Sequence, residues 1–327
     1  MEERPARAEA TGAGLHWAHM RERGAGWGPM LLAYIYKLFG RTACLVILAP
    51  VVFVFFLTGA PQRRASQAYL ARIWRVLGRP GKPNLWHSLR HFMAFGVALV
   101  DRFGAWVGDV DRQDIEHVDD PLFNAMRDDP RGALILSAHV GSVDVIRAIA
   151  SRHQKRVVNV VMHVAHAAQF NRAVARFAPH SRVKLISAAD FDMATAMSLS
   201  EAIGRGEWVV FMADRTPVKG AGRTITADFL GAPARWPAGP FVFARSVKCP
   251  TYVMVCYAKD GRRQVSFSQL ADTAFFTSND RRQVPKMLVE SFVGILEAIL
   301  GDAPYQWFNF YDFWAEGEAS TPYAGNE

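Results

Sequence analysis

From Gly132 onward, short apolar runs alternate with amphipathic stretches, and no other feature limits the fold of this chain as tightly. Strand-like runs lie at Gly132–His139, Arg156–Met162, Arg182–Ile186, Trp208–Met212, Thr251–Tyr257 and Gln264–Phe267. Between them the 3.6-residue period predicts helices over 143–150, Ala167–Phe177, Phe191–Ile203 and Pro237–Val247. A last helix, Val284–Leu300, gathers Leu288, Phe292, Ile295, Leu296 and Ile299 on one face. Strands separated by helices pair in parallel, because a parallel connection needs a crossover of a dozen residues or more. The expected class is therefore α/β, a largely parallel sheet flanked by helices.

The first run stops at His139. Gly141 lets the chain turn there, and Ser142 can cap the following helix, which places Asp144 in its first turn. In open α/β sheets ligands gather at the carboxyl edge of the strands, which is where His139 falls. A turn of this length can bring the Asp144 carboxylate back onto one imidazole nitrogen, fixing the tautomer. The other nitrogen is then free to take a proton from a hydroxyl or amine. The same two residues can equally serve as a helix cap and its ion pair. Asp214 and Arg215 directly follow the Trp208–Met212 run and should reach the same edge. An arginine there can hold a phosphate or a developing oxyanion, or close a loop on its aspartate. Lys219 and Arg223, in the next Gly-rich loop, can extend a basic rim.

The N-terminal third differs. No charged residue occurs from Thr42 to Ala60, a length that can cross a hydrocarbon core, although Pro50 should bend it. The run suits a spanning anchor, a kinked monotopic hairpin, or a buried core helix. A cleaved signal peptide fits poorly, since a long segment containing acidic groups precedes it. Residues 22–41 hold three Lys/Arg and residues 61–80 hold five, which places the remainder of the chain in the cytoplasm. Residues 62–108 have a helical pattern, broken near Gly78 and Pro80. Trp17–Arg23 can form a short amphipathic helix. The expected divisions are a tail and amphipathic segment (1–41), an apolar anchor (42–60), a helical connector (61–110) and a catalytic domain (111–327).

Other chemistries find little support. The net charge of +8 suits anionic lipid or an acidic carrier, and no helix-turn-helix, RNP or zinc-finger pattern points to nucleic acid. Pro29 breaks the glycine fingerprint begun at Gly24, and no cofactor is expected. His163 and His166 lack acidic or thiol neighbours, so no metal is expected. There is no G-x-S-x-G elbow. The three cysteines, Cys44, Cys249 and Cys256, suit small core residues in a reducing compartment.

The His139–Asp144 block resembles the HxxxxD block of the glycerolipid and lipid A acyltransferase superfamily (LPLAT), in which the histidine is the general base and the acidic residue orients it. Phe229-Leu230-Gly231, then Gly239-Pro240, a helix, and Pro250 opening a strand resemble its third and fourth blocks. Pro304–Trp314 resembles its aromatic tail. The likeness runs from Trp17 to Trp314 and is nearest the lauroyl/myristoyl lipid A branch. Trp17, Arg23-Gly24 and Phe39-Gly40-Arg41 are similar to predicted acyltransferases of aryl polyene pigment clusters. The resemblance implies an acyltransferase at the inner membrane whose donor is acyl carrier protein or acyl-CoA. The acceptor would be a lipid, glycolipid or pigment. It also implies catalytic His139 and Asp144, with Gly141, Ser142, Asp214, Arg215, Arg223 and Gly231 around the substrate. The alternative is a non-catalytic, membrane-bound module that binds lipid or acyl carrier protein.

Overall fold

The computed structural model describes residues 28–107, 115–116, 120–142, 156–162, 183–188, 191–216, 224–276 and 283–314. The Trp17 segment, the helices expected at 143–150 and Ala167–Phe177, and Asp144, His163, His166, Lys219 and Arg223 lie outside them.

Three helices come first: α1 (Gly28–Thr58), α2 (Ala60–Val76) and α3 (Leu85–Val107). There follow β1 (Ile115–Glu116), α4 (Pro121–Asp128), β2 (Ala133–Ser137), β3 (Val158–Met162), β4 (Val183–Ser187), α5 (Met193–Gly204) and β5 (Trp208–Met212). The chain ends in β6 (Thr224–Phe229), β7 (Ala232–Pro237), α6 (Ala238–Ser246), β8 (Pro250–Lys259), β9 (Arg262–Asp272) and α7 (Val284–Asp302). A strap, residues 303–314, then returns across the molecule.

Seven strands form one sheet in the order β1-β9-β8-β2-β5-β3-β4. Its pairings are parallel except β8 with β9, which is antiparallel. That exception has a local cause. Asp260 (φ +50°) and Gly261 (φ +80°) make a tight Asp-Gly turn, which returns the chain antiparallel at once. β6 and β7 form a separate hairpin, where turn chemistry alone was expected. Pro233 and Pro237 mask the strand pattern of β7, and proline is tolerated there because the pair is not interior to a sheet.

β2 and β5 are buried along their whole lengths, as central parallel strands must be. Alternate side chains serve two cores. Leu134, Leu136, Val209 and Phe211 join the core under α2, α6 and α7. Ala133, Ile135, Trp208 and Val210 face Phe123 and Met126 of α4. Ser137 pairs with Met212 in register, so the residues after the two strands leave the sheet side by side. α2 buries Ser66, Tyr69, Leu70, Ile73 and Trp74, a clean helical stripe. Its apolar members enter the same core as the sheet.

α1 is long and apolar enough over Tyr34–Thr58 to cross a membrane. Its one residue with non-helical dihedrals is Gly40 (φ +75°), while Pro50, where a bend was expected, stays within the helix. One seam of α1, with Tyr36, Cys44, Val52 and Phe56, packs against Phe92 and Val100 of α3. Gly96 and Gly104 allow this approach. An added Cβ would lie 2.9 Å from a Val52 methyl at Gly96 and 2.5 Å from the Tyr36 hydroxyl at Gly104.

Candidate active site

The turn after β2 is shaped by Gly141. Its φ is +57°, and a Cβ there would stand 2.1 Å from the Cys256 carbonyl oxygen, so only glycine fits. The turn is pinned from two sides. The Ser142 N–H donates to the Cys256 carbonyl (2.9 Å) and the Gly141 N–H to the Gln306 carbonyl (2.9 Å). The Phe308 N–H donates to the His139 carbonyl (2.8 Å), and Val140 bridges to Trp307. The strap thus acts as a short strand beside the turn.

His139 meets Asp214, which leaves the sheet from the neighbouring β5. The imidazole Nδ1 lies 2.6 Å from Oδ1 of Asp214, and the His139 backbone N–H donates to Oδ2 at 2.8 Å. Trp307 Nε1–H (3.2 Å) and Asn309 Nδ2–H (3.0 Å) also donate to Oδ2. The carboxylate is fully buried and takes four donors. Burial alone would raise its pKa, but the His139 and Arg215 charges and these hydrogen bonds outweigh that and hold it at about 2.

The histidine moves down as well. Burial disfavours its cation, and Arg215 adds repulsion, together exceeding the attraction of Asp214. The imidazole is therefore neutral near pH 7, with its proton on Nδ1 facing the carboxylate. Nε2 keeps its lone pair and has no partner among the described residues. The side chain is 24% exposed. This is the arrangement of a general base with a fixed tautomer.

Arg215 turns toward the strap. Its Nε donates to Asn309 Oδ1 (2.8 Å) and its Nη2 to the Phe308 carbonyl (3.0 Å). It thereby fastens the segment that carries Trp307 and Asn309. Gly231 sits at the tip of the β6–β7 hairpin with φ +75°. Its neighbour Leu230 donates to Glu297 of α7, and Gly231 makes none of the described contacts around His139. Ser142 is buried, its hydroxyl has no hydrogen-bond partner among the described residues, and with Gly141 it lines a cavity of about 220 Å³. Arg90, Asp101, Arg263 and Gln306 form other parts of that wall. Among the described residues no cluster of three or more His, Cys, Asp or Glu could hold a metal.

Sequence reasoning missed three contributors: Trp307, Asn309 and His91. The first two lie in an aromatic stretch that reads equally well as packing. His91 is fully buried in α3, with Nδ1 3.0 Å from Ser66 Oγ and Nε2 2.8 Å from the Trp307 carbonyl. Ser88 donates in turn to Ser66 (2.8 Å). Burial, only partly offset by the Trp307 carbonyl, lowers the His91 pKa to about 4, so this ring is neutral too. A polar chain thus runs from the α2–α3 pair through the strap to Asp214. A histidine at helical spacing in an apolar face gives no local sign of such a role.

Residues 92–315 match the family model for bacterial lipid A biosynthesis acyltransferase. The match runs from α3 through the strap and takes in His139, Asp214, Arg215, Trp307 and Asn309. No curated protein matches the chain.

Proposed function

This chain belongs to the bacterial lipid A biosynthesis acyltransferase family, and from that premise we propose that it moves an acyl group from a thioester to a lipid or glycolipid acceptor with His139 as base. Membership makes the protein an acyltransferase and rules against a purely binding module. The observation that carries the residue assignment is the partly exposed imidazole, held at Nδ1 by Asp214 and with no described partner at Nε2.

The acceptor hydroxyl or amine gives its proton to Nε2 as its heteroatom attacks the thioester carbonyl carbon. The imidazolium so formed is stabilised by the adjacent ionised Asp214. The tetrahedral intermediate then expels sulfur, the C–S bond breaks, and the thiol leaves with the proton held on Nε2. Base assistance of this kind supplies about 10²–10⁴-fold in rate. Asp214 is the orienting carboxylate in this scheme. Asp144 is the residue to which the HxxxxD resemblance gives that role, and separate Asp144→Asn and Asp214→Asn variants divide the work between them. Arg215 holds the strap, and Gly141 and Ser142 line the cavity next to the turn that follows His139. Arg223 and Gly231 remain candidates for contact with substrate outside that cavity.

The donor in this scheme is acyl carrier protein or acyl-CoA. The acceptor is a lipid, glycolipid or aryl polyene pigment at the inner membrane, with the catalytic domain in the cytoplasm. Purified full-length protein should release thiol from one of the two donors when supplied with host membrane extract. His139→Ala should lose about 10²–10⁴-fold of that rate. Near-complete retention in a folded His139→Ala variant would reject the assignment.

A further inference from the structure

We propose that α1 lies within one leaflet, along the membrane plane, and does not cross the bilayer. The inference rests on the membrane association proposed above.

The first support is where α1 is fastened. It runs antiparallel to α3: Phe56 meets Phe92, Val52 meets Gly96, Cys44 shares a cluster with Val100, and Arg41 pairs with Asp101 at 2.9 Å. The opposite side of α3 is fixed to the catalytic domain. His91 binds the Trp307 carbonyl, Asp101 pairs with Arg263 of β9 at 2.8 Å, and Ala94, Val97 and Ala98 wall the cavity that Ser142 and Gln306 share. The middle of α1 therefore stands level with the site itself. Were α1 to cross the membrane, the Asp101–Arg263 ion pair and the polar cavity wall beside it would be carried to hydrocarbon depth, where charged groups are costly.

The second support is charge. Ten of the 38 Lys and Arg, and none of the 30 Asp and Glu, lie between Arg23 and Val100. That stretch carries +10, and the rest of the chain −2, so the whole excess of +8 comes from the segment that contains α1 and α2. The outward side of α1 is apolar, with Val46, Val51, Phe53, Val54 and Leu57 exposed. α2, continuing beyond it, leaves Arg64 and Arg75 exposed. An apolar helix edged by exposed cations matches acyl chains bordered by anionic headgroups.

The test uses the full chain. Single cysteines replace Ala10 and, separately, Ser320, and an impermeant maleimide is applied to spheroplasts and to inverted vesicles. Both positions should label from the same face, and labelling from opposite faces would overturn the proposal. In parallel, the protein is floated with phosphatidylcholine vesicles with and without phosphatidylglycerol. Binding should favour the anionic vesicles, and Arg64→Gln and Arg75→Gln should each weaken it about fivefold. Failure to float with either vesicle refutes membrane association itself, and a stable dimer that does not float assigns the α1 face to a second copy.

Discussion

Replacing Asp214 with asparagine puts the proposed base to its sharpest test. Three donors converge on Oδ2 and one, the imidazole Nδ1–H, on Oδ1. An asparagine has one acceptor oxygen and one NH₂. The oxygen will take the Oδ2 place, since the reverse sets the NH₂ against three donors. The NH₂ then faces Nδ1, which must offer a lone pair, so the ring proton moves to Nε2. The fold persists but the base is in the wrong tautomer. The full general-base contribution is lost, about 10²–10⁴-fold in turnover. Stability falls as well. Held at about 2 against an ordinary value of 3.8, the carboxyl contributes about 2 kcal/mol at neutral pH. A depressed carboxyl stabilises above its unfolded pKa and loses that effect as pH falls through its folded one. The gap between wild type and variant should therefore close between about pH 4 and pH 2. Turnover is read as thiol release with a thiol-reactive dye, which the buried native cysteines do not disturb. A folded Asp214→Asn enzyme within tenfold of wild type, with an unchanged pH profile, would show that Asp214 does not set the tautomer.

Three further outcomes are expected. The Arg215 charge opposes protonation of His139, so Arg215→Gln should move the acid limb of the pH–rate profile to higher pH, and a downward move would contradict the electrostatics. Gly141→Ala must place a methyl 2.1 Å from a carbonyl oxygen at positive φ. It should cost about 3 kcal/mol or more in chemical denaturation, while Ser142→Ala stays near wild type. His91, lowered to about 4, binds a proton more readily once unfolded. Its effect makes stability fall as pH drops from about 6.5 to 4, by about 3 kcal/mol in all, and His91→Gln should flatten that part of a stability–pH curve.

Much of the sheet edge is legible from local pattern. Apolar runs announce β2 and β5, unbroken over Ala133–Leu136 and Trp208–Met212, and both end shortly before chemistry-bearing residues begin. The partnership of His139 with Asp214 is not visible that way. It depends on β5 sitting next to β2, and strand order is not written in either run. A five-residue offset made Asp144 the natural partner on paper, and that residue lies outside the described region. β9 extends well past the short run Gln264–Phe267, because an antiparallel strand of mixed polarity, flanked on its outer side only by the two-residue β1, lacks the unbroken apolar signal of a central one. The roles of Trp307 and Asn309 were hidden for a related reason. Trp307 also packs against Tyr69, Phe229 and Phe313, so its hydrophobic duty fully accounts for it until the indole N–H is traced.

The strap is synthesised after every strand of the sheet. A nascent polypeptide can lay down the sheet and expose His139 while Asp214 still lacks two of its four donors. The buried carboxylate is therefore fully satisfied only when the strap is docked. Truncation before Trp307 would remove those two donors together with two buried aromatics of the main core, so catalysis and stability would fall together.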